Sequence, residues 1–306
     1  MTLKLIALCS LYLMAAPQTV KASVNFGTDV IYGLDNRKEI NDFEDEVIVN
    51  NSKSIAVKVA NQKLIADDNN PELFNILNIP LKQAMPNLCE SERFSDQPQL
   101  GDCSGFLISN DKILTAGHCA FSKFDCANYS WVFNFVDGKN TFSKDEVFKC
   151  KRIVTQKYEY SDVKVMDYAI IELDRDTKRA PLKMRKLGRP FLGTPLVIVG
   201  HPLGLPMKAA DMATVKLPNE QEMQELFKTI KLRKNYFTAN LDSYGGNSGS
   251  PVFNKRTGKV EGILIQGADD FKFNMEKECL ESNQLSNSHK NTYEKVLRIN
   301  KIDLNY

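Results

Sequence analysis

Residues 244–253 read Tyr244-Gly245-Gly246-Asn247-Ser248-Gly249-Ser250-Pro251-Val252-Phe253, a glycine-dense turn that delivers a serine just ahead of a strand-like run. Such a turn exposes one hydroxyl and aims backbone N–H groups at a common point. A serine is a weak nucleophile until a base takes its proton, and an acyl-transfer oxyanion needs donors placed where its charge develops. Glycine at 246 keeps a side chain out of the path of a carbonyl approaching the backbone. By themselves these residues also fit a tight surface turn. The chemical reading therefore needs a base from elsewhere in the chain.

Upstream, Leu114-Thr115-Ala116-Gly117-His118-Cys119 places a histidine after a strand-like run and directly before a cysteine. Cys103 lies sixteen residues before Cys119, and a disulfide between them would pin the histidine loop to the strand starting at Cys103. Of the other histidines, His201 in Gly200-His201-Pro202-Leu203-Gly204 reads as a loop residue shaping the second half, and His289 sits in a polar, solvated stretch.

Short runs separated by turn residues dominate the rest: Val47 to Val49, Ile55 to Val59, Ser104 to Ser109, Trp131 to Phe135, Tyr168 to Leu173 and Leu196 to Val199. Strands at this spacing argue for a barrel or sandwich, with Trp131 in the core. The stretch 66–100 carries several X-Pro steps and reads as a surface excursion. Helical periodicity is confined to 219–228 and 291–302, and the Lys/Arg-rich stretch 174–190 suits a connection between two halves.

Forty basic and thirty-eight acidic residues leave a formal charge of only +2, so the charge balance calls for no nucleic-acid partner. At the start, Lys4 precedes an apolar run from Leu5 to Ala16, with Ala22 before Ser23, the pattern of a secretory signal peptide over residues 1–22. No other apolar run approaches the ~20 residues of a membrane span. Beyond the leader stand Cys89, Cys103, Cys119, Cys126, Cys150 and Cys279, an even set suited to disulfides in an oxidising compartment. Cys126 and Cys150 flank the Trp131 run as one candidate pair. A zinc site competes only through the adjacent His118 and Cys119, without any CxxC pair, and no metal is expected.

Taken together, CSGFLIS (103–109), LTAGHC (114–119), MDYAIIEL (166–173) and GGNSGSPVF (245–253) resemble the trypsin-like serine peptidase family in its bacterial secreted branch. The order His, Asp, Ser is that of the chymotrypsin-like triad. The resemblance implies an all-β fold of two packed six-stranded antiparallel β-barrels, the first over about 30–180 and the second over about 190–290, with a short C-terminal helix over about 291–303. It implies catalysis by His118, Asp167 and Ser248, with the N–H groups of Gly246 and Ser248 as oxyanion hole. No cofactor is needed, and the partner is a protein or peptide substrate; nothing indicates oligomeric state.

Two departures bear on activation and specificity. Asn247 stands where digestive relatives carry the aspartate that receives a newly freed N-terminus, and GNSGSP resembles the glutamyl-endopeptidase side of the family. Leu264 occupies the place of the pocket histidine of those enzymes, which disfavours glutamate preference. Asp242 falls where trypsin-type enzymes hold the pocket carboxylate for Arg or Lys, with Ser243 and Gly267 as pocket walls; equally, Asp242 fits a structural turn residue. The expectation is a secreted serine endopeptidase, extracellular or periplasmic, with a catalytically silent binding protein of the same fold as the alternative.

Overall fold

The computed structural model describes residues 30–161, 164–217, 235–287 and 293–305. The leader at 1–22, the helix expected at 219–228 and His289 lie outside the described residues. Two antiparallel barrels make up the body. The first comprises β1 (Ile55–Ala60), β2 (Cys103–Ser109), β3 (Lys112–Thr115), β4 (Tyr129–Phe133), β5 (Val147–Ser161) and β6 (Lys164–Leu173), closed in the order β5-β6-β3-β2-β1-β4. The second comprises β7 (Pro195–Gly200), β8 (Lys208–Lys216), β9 (Tyr236–Ala239), β10 (Pro251–Asn254), β11 (Val260–Gln266) and β12 (Glu294–Arg298). Its order is β7-β10-β11-β12-β9-β8, and the β7–β8 pairing closes it.

Side-chain alternation along each strand builds two kinds of core. Ile113 and Trp131 fill the first barrel, and Ile198, Leu264 and Val296 fill the second. Their neighbours in sequence, Leu114 and Val197, Val199, Ile263 and Leu297, join one cluster that contains residues of both barrels. Strands here are therefore apolar on two faces.

That double burial explains a correction. The apolar spacing of 291–302 suggests a helix, but Glu294–Arg298 is a strand hydrogen-bonded on both sides, to β9 and β11, followed by a 3-10 turn at Ile299–Lys301. Val296 points into one core and Leu297 into the other, which mimics a helical stripe. A second correction concerns Val47 to Val49, read as a strand. Asp45 accepts N–H groups from Val47 and Ile48 as an N-cap, and Glu46–Ser52 forms a helix whose Val47 faces solvent.

Three disulfides link Cys103 to Cys119, Cys126 to Cys150 and Cys89 to Cys279. The last joins the 66–100 excursion to a hairpin made of Phe271–Asn274 and Cys279–Ser282. The N-terminal stretch, counted with the first barrel in the sequence, attaches instead to elements around the second: Ile31–Tyr32 pairs with Gln284–Leu285, and Lys38–Glu39 pairs with β8. Among the described residues no helix is long and apolar enough to cross a membrane.

Candidate active site

His118 sits in a 3-10 turn, Gly117–Cys119, just after β3. The turn presses so closely on β5 and β6 that a Cβ at Gly117 would lie 2.0 Å from the carbonyl oxygen of Lys157 and 2.9 Å from the amide of Tyr168. Only glycine permits that approach. Asp167, on β6, has no solvent exposure. Its Oδ1 accepts the backbone N–H of His118 at 2.9 Å, and its Oδ2 lies 2.8 Å from His118 Nδ1. A carboxylate accepts only, so this contact assigns a proton to Nδ1, and in the neutral imidazole the lone pair is then on Nε2.

One residue at this centre escaped the sequence reading. The hydroxyl of Tyr160 donates to the same Asp167 Oδ2 at 2.6 Å. In the β5–β6 register Tyr158 stands opposite Asp167, so Tyr160, two residues on, shares that face and reaches the carboxylate diagonally. The alternation Tyr158-Glu159-Tyr160 ahead of the aspartate strand was the available signal.

Ser248 arrives from the other barrel on the turn between β9 and β10 and is largely buried. Gly246 has φ +92°, a region closed to most side chains, and a Cβ there would lie 2.7 Å from the carbonyl oxygen of His201. Ser104 of β2 fastens this turn to the first barrel. Its N–H donates to the Ser248 carbonyl at 2.9 Å, and its hydroxyl donates to the Gly246 carbonyl at 2.8 Å. Cys119 Sγ lies 3.9 Å from the Ser248 carbonyl oxygen, so the disulfide beside His118 packs against the backbone of the serine turn. Because Cys103 and Cys119 are bonded to each other, their sulfurs are not thiolate ligands.

Among the described residues the Ser248 hydroxyl makes no hydrogen bond, and neither do the N–H groups of Gly246 and Ser248. His201 supports the turn from behind: its N–H donates to Ser104 Oγ, its Nδ1 bonds the Leu205 carbonyl, and its ring stacks on Phe135. Burial takes its pKa down to about 3, so it stays neutral.

Asp242 is put to a use different from the pocket carboxylate considered in the sequence. It is 1% exposed; Oδ1 accepts the Tyr32 N–H at 2.7 Å, and Oδ2 accepts the N–H and the side-chain amide of Asn36 at 3.0 and 2.5 Å. Both oxygens are engaged by the N-terminal stretch. Burial pushes its pKa up to about 6 despite the two backbone donors. Ser243 is also buried, and its N–H donates to the Val30 carbonyl. Asn247 bridges Ser243 Oγ and Ser250 Oγ, while Gly267 lies half-buried just beyond β11.

A family model described as "Trypsin-like peptidase domain" matches residues 103–263. No curated protein matches. Solved structures that are similar include the active form of the Rv3671c protease from M. tuberculosis, with 14% identity, 96% of this chain and 90% of that one covered, and a TM-score of 0.47. Mouse neuropsin, a serine protease, shows 16% identity over 65% and 85% of the two chains with a TM-score of 0.44. The secreted serine protease VesC from Vibrio cholerae shows 13% identity over 81% and 44%, with a TM-score of 0.48.

Proposed function

Since the chain belongs to the trypsin-like peptidase domain family, we propose that it is a serine endopeptidase in which Ser248, His118 and Asp167 hydrolyse peptide bonds through an acyl-enzyme. The observation that carries this reading is the paired contact of Asp167 with the amide and the ring of His118, beside a serine turn fastened to the same β2–β3 hairpin. Ser248 Oγ attacks the peptide carbonyl while His118 Nε2 takes its proton. The resulting imidazolium is stabilised by Asp167 and returns the proton to the leaving amine; water then repeats the sequence on the acyl-enzyme. Gly246 and Ser248 supply their N–H groups to the oxyanion.

A preference for Arg or Lys before the scissile bond is not part of this reading, because Asp242 is engaged by Tyr32 and Asn36. Secretion is supported by the leader pattern and by three disulfides, which persist in oxidising compartments. The test is fluorophosphonate labelling of the purified protein beside Ser248→Ala, with the modified residue identified by mass spectrometry. Labelling confined to Ser248, and a loss of turnover of ~10⁶ in the variant, are expected. A folded protein that takes no label would sink the proposal and favour the binding-protein alternative.

A further inference from the structure

We propose that Tyr160 is a positioning residue for this centre, a third donor that holds Asp167 in the orientation His118 requires. The inference rests on the triad reading above and deepens it. Asp167 Oδ2 accepts two hydrogen bonds from different elements: one from His118 Nδ1, on the turn after β3, at 2.8 Å and one from the Tyr160 hydroxyl, on β5, at 2.6 Å. Oδ1 is taken by the His118 amide at 2.9 Å. Two donors come from one residue on the turn after β3; among the described residues, Tyr160 is the donor that ties the carboxylate to β5. Its ring is 42% exposed, yet its hydroxyl reaches a carboxylate with no exposure at all.

The hydroxyl also shapes charge. Burial and the neighbouring Asp167 charge hold the Tyr160 phenol well above its ordinary range, so it remains a donor wherever the enzyme works. By drawing charge from Oδ2, it moderates the attraction of Asp167 for an imidazolium. On the imidazole itself, Asp167 of β6 bonds Nδ1 and Tyr158 of β5 meets the ring edge-on at 6.3 Å between ring centroids, while Tyr160 of β5 acts one step away through Asp167.

The experiment compares wild type with Tyr160→Phe, which keeps the ring and removes only the donor. The acid limb of the kcat/KM profile is expected to move up by roughly half a pH unit, and kcat to fall ~10-fold with KM unchanged, as suits the loss of one bond to a charged group. The downfield Nδ1–H proton resonance of His118 is expected to shift, and it is read in the protein whether or not turnover is measured. A folded variant with an unchanged resonance, limb and kcat overturns the proposal while Ser248 labelling leaves the protease reading standing. If Tyr160→Phe does not fold, the wild type decides: the Tyr160 hydroxyl proton should show a through-space contact with the His118 Nδ1–H, since both lie on Asp167 Oδ2, and its absence overturns the proposal.

Discussion

Asp167 and Asp242 are both buried, and each carboxylate collects three donors, yet their surroundings put them to opposite uses. Asp167 faces an imidazole that can gain and lose a proton, together with one amide and one phenol. Asp242 faces two backbone amides and an asparagine side chain, none of which titrates. In the proposed reaction the first carboxylate follows a proton, while the second holds the N-terminal strand. What separates a reacting group from a structural one is therefore the chemistry of its partners, while burial is common to both.

The sharpest way to break this comparison is Asp167→Asn. It preserves shape but offers His118 Nδ1 an ambiguous partner, and kcat is expected to fall ~10⁴-fold with little change in thermal stability. Asp242→Asn should leave kcat within a few-fold; if cleavage after Arg or Lys collapses instead, Asp242 is a pocket carboxylate after all. Between these lies Ser104→Ala, which releases the Gly246 carbonyl and is expected to lower kcat ~10-fold without disturbing the His118 resonance. Asp242→Ala leaves the Tyr32 and Asn36 N–H groups without their acceptor and should destabilise the fold by ~1–3 kcal/mol in denaturant titrations.

The last effect is a pH slope. The folded state binds the Asp242 proton more tightly than the unfolded chain, because burial raises its pKa from 3.8 to about 6. The stability this group contributes is thus present at low pH, declines as pH rises between those values, and is gone above about 6. Subtracting the stability curve of Asp242→Asn from that of the wild type isolates the slope, and a difference that rises with pH contradicts the assignment.

These contrasts show why some of the molecule was legible in the sequence. β2, β3 and β6 carry apolar alternation together with compact motifs, so CSGFLIS, LTAGHC and MDYAIIEL announced both their strands and the residues now found around His118. Contacts between distant segments carry no such local mark. Asn36 meets Asp242 across 206 positions, and Cys89 meets Cys279 across 190. Tyr160 depended on a cross-strand register that a one-residue slip would have reversed. The 294–298 strand was misread because its two faces serve two cores, and periodicity cannot tell that from a helix.

The position of that strand has a consequence for biogenesis. β12 sits between β9 and β11, and the second barrel cannot close without it. A chain leaving the ribosome, or threading an export channel, N-terminus first presents His118 and Asp167 long before residue 298. The turn bearing Ser248 hangs on β10, whose neighbour β11 awaits β12. On the proposed reading the cleft is therefore completed only after residues 294–298 have emerged, so vectorial synthesis delays the meeting of its two halves.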